Sequence, residues 1–432
     1  MSEPSHRITT LDCGVRVVSE PMPAVRSVAL GFWIGAGSAH EREAQAGISH
    51  LLEHMLFRGS ERYGSEEIDQ IFDAMGAELN AGTDKEATSV YTRVLDRHLE
   101  RAFDVIADMV WRPRMGELEA EREVVLEEIA MYEDDPQDRV FDVLGEAVFG
   151  EHPLGRPVIG RAEVVGALTR EQLRDFHAEC YDPTDVVISA AGSVDHDALV
   201  ELARAACPQA PSAQADGENA PEEQDGVAGP RFERRVRFLR KETEQYHLCL
   251  GGRGMAHDDK RRFALRVLDN VLGGGASSRL FREVRERRGL AYSVFSFSNL
   301  YSATGEVGLY VGTRPENLAE ALQVIAAELE RFVREPADAQ ELERSRENAK
   351  GRLALSLEST AARMNRLGAS VLNDLPILSV EEIIARIDAV TADELRELAG
   401  ELFRGQELSV AAIGPDEGAL LGALAPLEAV TA

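Results

Sequence analysis

Cysteine is scarce and scattered in this chain: Cys13, Cys180, Cys207 and Cys249 are the only four in 432 residues, and no two form a Cys-x-x-Cys pair. That spacing excludes a disulfide-stapled scaffold and a cysteine-ligated zinc site, and the four are expected to be ordinary reduced thiols. Positive charge is also short, with 47 Lys and Arg against 76 Asp and Glu, a formal net charge of -29. Phosphate backbones are held by concentrated basic surface, so nucleic acid is excluded as the main partner. No stretch reaches the roughly 18 apolar residues of a membrane-crossing helix. The opening MSEPSHRITTLDCGVRVVSE lacks the basic-then-apolar order of a signal peptide and the arginine-rich pattern of a transit peptide. A cytoplasmic protein without membrane contact is the expectation.

What is present is a globular composition, 44% hydrophobic and 28% charged, on a chain too long for one ordinary core. Residues 208–230, PQAPSAQADGENAPEEQDGVAGP, are Pro-, Ala-, Gly- and acid-rich with a single Val to anchor them, and read as a linker between domains at 1–207 and 231–432. The two halves look duplicated. Leu99, Ala102, Val105 and Ile106 match Leu318, Ala321, Val324 and Ile325 at one constant offset, and the Glu-Leu-Glu at Glu117 recurs at Glu341. Each half opens on strand-like sequence, RSVALGFWIGAG and YHLCLGGRG, and passes into helical periodicity. Strands and helices mix without strict alternation, so the expected fold is α+β, two similar domains, each a mostly antiparallel sheet with helices packed on one face.

The segment AGISHLLEHMLFRGS, residues 46–60, carries the chemistry. At about 100° per residue, Ile48, Leu51, Leu52, Met55 and Leu56 make one apolar stripe, while His50, Glu53 and His54 fall on the opposite side, with Gly59 as a stop. Two histidines four apart on one face can converge on one metal ion, and a carboxylate beside them can reach a metal-bound water without binding the metal. His-x-x-Glu-His is the inverted form of the common zinc-protease motif. A catalytic zinc needs a third protein ligand, and the acidic helix ELEAEREVVLEEIAMYEDD supplies several: Glu121 and Glu128 share a face, with Glu123, Glu127 and Glu133 as rivals. Spacing alone does not choose among them.

HLLEH followed at this distance by EREVVLEE resembles the pitrilysin and insulinase zinc peptidases, and the two-domain layout is most similar to the subfamily of mitochondrial processing peptidase. The resemblance implies one zinc per chain held by His50, His54 and Glu128, with Glu53 as general base and Glu121 as a supporting carboxylate. LNAGTDKEATSVY resembles the family's edge strand, which implies that the backbone around Asn80 and Ala81 binds peptide by strand addition. VRERRGLAYSV resembles the segment whose arginine and tyrosine, here Arg285 and Tyr292, hold the substrate carbonyl. The window matching His50–His54 in the second half, Asp269–Gly273, has no histidine, so only the first copy can hold zinc.

The expected protein is a zinc-dependent endopeptidase or oligopeptidase that cleaves unfolded peptides, basic ones preferred because of its acidic charge. The resemblance further implies a closed chamber formed by two chains, a homodimer rather than a heterodimer with a homologous subunit. The alternatives are a non-catalytic scaffold, like the core proteins of respiratory complex III, and a zinc-binding interaction protein without turnover. The run GGGASSRLF lacks the Lys-Ser or Lys-Thr ending of a phosphate loop and is expected to be a turn.

Overall fold

β-Branched and small apolar residues dominate runs such as SVALGFWI and VVISAAG, and each becomes a strand of a sheet. A computed structural model describes residues 6–208 and 229–430. The 208–230 linker therefore lies outside the described residues except at 208, 229 and 230. The first sheet has six strands, β1 (Arg7–Thr10), β2 (Arg16–Pro21), β3 (Ser27–Ile34), β4 (Leu79–Thr83), β5 (Thr88–Leu95) and β6 (Val186–Gly192), in the order β1-β2-β6-β3-β5-β4. The second has five, β7 (Val236–Arg240), β8 (Tyr246–Arg253), β9 (Ala291–Leu300), β10 (Gly305–Thr313) and β11 (Ser409–Gly414), in the order β7-β11-β8-β10-β9.

The two sheets repeat one plan. β2 pairs in parallel with β6 as β7 does with β11, and the remaining pairs of both sheets are antiparallel. Taken in chain order, β2 to β6 occupy the same places as β7 to β11, with β1 as the one addition. The expected α+β duplication is therefore present in the topology itself.

The chain divides into two compact units, and neither is one of the contiguous stretches 1–207 and 231–432. The first comprises 6–130, 157–208 and 354–379; the second comprises 131–156, 229–353 and 380–430. Each sheet receives its own half's helices and one helix from the other half of the sequence. In the first unit, Leu99–Trp111 and His196–Ala206 lie with the main core on one face of the sheet. On the other face, Met364, Leu367 and Val371 of the helix Thr360–Leu372 pack on Val18, Ala29, Val187 and Ala191. In the second unit, Pro136–Phe149 lies on β8 and β11, where Leu144 meets Gly251. Covering both faces explains why β6 and β10 are buried at every position, where a one-sided sheet would alternate.

One expectation is corrected here. Cys13, in the turn between β1 and β2, and Cys207, just past the His196–Ala206 helix, form a disulfide, so only Cys180 and Cys249 are free thiols. The helix packs beside β2, which brings together two cysteines 194 positions apart; no local spacing could announce that pair. Among the described residues no helix is long and apolar enough to cross a membrane.

Candidate metal centre

The helix Ile48–Leu56 buries Ile48, Leu51, Leu52, Met55 and Leu56 in the first unit's core, which fixes its rotation and turns His50, Glu53 and His54 outward. Its start is specified by two features. Gly47 has φ +98°, and a Cβ there would come within 2.9 Å of the Gly160 Cα and the Ile159 carbonyl oxygen, so only glycine fits. The buried Glu41 carboxylate accepts hydrogen bonds from the backbone N–H of Gly47 and Ser49, at 2.8 and 2.9 Å, placing negative charge at the helix N-terminus. The helix ends at Leu56, short of Gly59, which takes φ +102° in the following turn.

The acidic helix Leu118–Asp134 brings Glu128 against this face. Glu128 Oε2 lies 3.8 Å from His50 Nε2 and 3.4 Å from His54 Nε2, and the two imidazole centroids are 4.7 Å apart. One ligand atom from each of His50, His54 and Glu128 lies within 4.8 Å of the other two, a set able to hold a metal ion. Donors on a tetrahedral ion with bonds of about 2.0–2.2 Å sit about 3.3–3.6 Å apart; the 3.4 Å pair is at that spacing, the 3.8 Å pair is slightly wider, and two nitrogens with one carboxylate oxygen are the donor types zinc takes. Burial, and secondarily the neighbouring His54, lowers the His50 pKa to about 4, keeping its ring neutral and its lone pair available. The rivals Glu123, Glu127 and Glu133 are exposed and outside the cluster.

Glu121 does not join the ligand atoms. It is buried, and its Oε1 lies 2.7 Å from His54 Nδ1 while its other oxygen accepts from Arg58 Nε. A carboxylate on Nδ1–H fixes the tautomer that leaves Nε2 free to face the metal position. Glu53 points to the same region and accepts a 2.5 Å hydrogen bond from the Thr83 hydroxyl at the end of β4. Burial raises the Glu53 pKa above the usual carboxyl value; Glu128 adds to the rise, and the Thr83 hydroxyl and His54 oppose it. Arg58 and Thr83 escape a reading of the sequence, although Arg58 carries a signal, sitting one turn beyond His54 on the same face.

Asn80 and Ala81 lie on β4, which pairs only with β5 and so leaves its outer edge unpaired among the described strands. Asn80 and Gly82 are exposed. The second unit brings Arg285 and Tyr292 together: Arg285 Nη1 donates to the Tyr292 carbonyl at 2.9 Å, and its guanidinium lies 4.3 Å from the Tyr292 ring centroid. The Tyr292 side chain is 76% exposed. At the position repeating the metal helix, Asn270 Nδ2 donates to Asn348 Oδ1 at 2.8 Å and the Ser296 hydroxyl donates to Asp269. Asp269 stands at the place of His50 and Gly273 at that of His54, so neither histidine is repeated there.

The model of the insulinase family of peptidases (peptidase family M16) matches residues 16–162, and that of the peptidase M16 inactive domain matches 167–349. The chain is 42% identical over 416 residues to an uncharacterized zinc protease of Streptomyces coelicolor, covering 95% of this chain and 89% of that one. It is 41% identical over 408 residues to an uncharacterized zinc protease of Bacillus subtilis, covering 94% and 97%. A protease from Helicobacter pylori shares the fold at TM-score 0.87 and 23% identity, over 95% of this chain and 100% of that one. A chain of complex III2 from Candida albicans does so at TM-score 0.82 and 21% identity, over 98% and 99%.

Proposed function

Since the chain belongs to the insulinase family of peptidases (M16), we propose that it is a zinc-dependent endopeptidase or oligopeptidase acting on unfolded peptides. The observation that carries this reading is the convergence of His50, His54 and Glu128 beside a half-buried carboxylate, Glu53, whose pKa burial raises. His50 Nε2, His54 Nε2 and a Glu128 oxygen would hold the ion. When bound, zinc supplies Lewis acidity that makes a water a nucleophile near neutral pH.

The chain's own residues divide the remaining work. Glu53, held by Thr83, takes a proton from the attacking water and returns it to the leaving amine. The raised pKa suits a group that must both accept and release a proton. Glu121 and Arg58 hold His54 in one tautomer. The free edge of β4 at Asn80 and Ala81 binds the extended peptide by backbone hydrogen bonds. Arg285 and Tyr292, paired in the second unit, are the donors that the family resemblance implies for a substrate carbonyl. Two chains forming a homodimer would enclose a chamber that admits unfolded peptides and rejects folded proteins.

Metal analysis combined with cleavage of a quenched fluorescent peptide tests the reading. Wild type is expected to hold one zinc per chain and cleave, and Glu53→Gln to keep the metal while losing about 100-fold or more in kcat. Zinc in both proteins with no cleavage by wild type would overturn the peptidase reading in favour of a scaffold. A variant as fast as wild type would remove Glu53 from its role.

A further inference from the structure

The second unit carries a cavity of about 290 Å³ whose lining includes Gln245, Arg285, Tyr292 and Arg314 together with the backbone of Gly289 and Gly312. In a chain with so large an excess of acid, no carboxylate lines it. Arg285 is fixed in place: it donates to the Tyr292 carbonyl, and its guanidinium lies 4.6 Å from the Phe281 ring centroid and 4.3 Å from that of Tyr292. A Cβ at Gly312 would sit 2.9 Å from the Tyr310 hydroxyl and 3.2 Å from Gln245 Oε1, so the glycine makes room for both side chains.

Neither guanidinium is well neutralised. The Glu286 oxygen is 3.7 Å from Arg285, and the Glu316 oxygen is 3.5 Å from Arg314 in a pair whose side chains are 68% and 63% exposed. Exposed pairs of this kind contribute little, so a better-placed anion displaces them readily. A neutral carbonyl oxygen needs one strong donor, and Arg285 suffices for it. A second arginine on the same small cavity adds positive charge that only an anion can use, and the planar fork of guanidinium matches a carboxylate.

We infer that Arg314, with Arg285 and Gln245, forms a subsite that binds a carboxylate of the peptide, making Arg314 a specificity-determining residue. The identification of the ligand as a peptide rests on the peptidase reading; the anion preference rests on the cavity. The carboxylate comes either from the peptide C-terminus or from an acidic side chain, and the chemistry of recognition is the same.

The test uses the full chain carrying Glu53→Gln, so that binding is read without turnover, and four fluorescent peptides of one length: free C-terminus or C-terminal amide, each with Glu or Gln at one internal position. Anisotropy is expected to give about tenfold tighter binding for one carboxylate-bearing source over its neutral match. Adding Arg314→Gln should bring that ratio within about twofold and leave the affinity of the fully neutral peptide unchanged, and Arg314→Lys should restore part of it. Equal affinity for all four peptides, no binding at all, or a preference that survives Arg314→Gln would overturn the subsite. Cleavage of the same peptides by wild type separates the two readings: a binding preference without cleavage sinks the peptidase and keeps the subsite, whereas indiscriminate cleavage and binding does the reverse.

Discussion

Arg58 follows His54 by one helical turn, and between them they hold the two oxygens of Glu121. A buried carboxylate needs partners for both oxygens, and the contact of Glu121 with Nδ1 is what keeps His54 in its metal-facing tautomer. Glu121→Gln is expected to weaken zinc binding by about 10–100-fold, and Arg58→Met to weaken it by less in the same direction. Competition with a chromophoric chelator measures both, and unchanged affinity in the pair would remove this chain of contacts from the site. The His-x-x-Glu-His set was legible because its geometry lies within one helix. The acid that completes the candidate cluster was legible from spacing only as one of several. The helix Leu118–Asp134 carries acid on several faces, and what singles out Glu128 from Glu123, Glu127 and Glu133 is the crossing of two helices. Thr83 was silent for the same reason, since a threonine at a strand end gives no sign of which helix lies beside it.

The helix Thr360–Leu372 is the element the sequence conceals best. Its apolar positions are ordinary, yet its fit to the first sheet depends on glycine at two opposed places. A Cβ on Gly31 of β3 would stand 2.5 Å from Met364 Sδ, and one on Gly368 would collide with the indole of Trp33, whose Nε1 donates to Ser189 at 2.8 Å. Gly→Ala inside a helix ordinarily stabilises by about 1 kcal/mol. Here the sign should reverse: Gly368→Ala is expected to destabilise the first unit by about 1–3 kcal/mol through overpacking. Urea unfolding followed by tryptophan emission reads it, and a variant as stable as wild type would mean that the helix does not sit on Trp33. The strand pairs β4–β5 and β9–β10 were readable from strand-like runs joined by turns, because their partners are near in sequence. A helix that covers a sheet formed more than 150 residues earlier leaves no such trace.

For the molecule as a whole, the exchange of helices means that the duplicated halves are not independent domains. Residues 1–207 expressed alone lack the stretch 354–379 that belongs to the first unit, leaving Val18, Ala29, Val187 and Ala191 uncovered. That fragment is expected to aggregate or to bind a hydrophobic dye, whereas 1–207 and 231–432 produced together should copurify as one particle. Cooperative unfolding of 1–207 alone, without dye binding, would contradict this. The Cys13–Cys207 bridge closes the first half on itself and cannot substitute for the missing helix. Sequence length and the linker pointed to two domains, and the duplicated topology agrees. The boundaries fall elsewhere because contact, rather than order along the chain, decides which segments share a core.

The exchanged helix also sets a timetable. Translation runs from the first residue to the last at about 5–20 residues per second, so roughly ten to thirty seconds separate the emergence of β6 from that of Thr360–Leu372. Throughout that interval the nascent first sheet presents an apolar face with nothing to close it, and His50, Glu53 and His54 are already made. The ribosome therefore releases the candidate metal site before it releases the last piece of its scaffold.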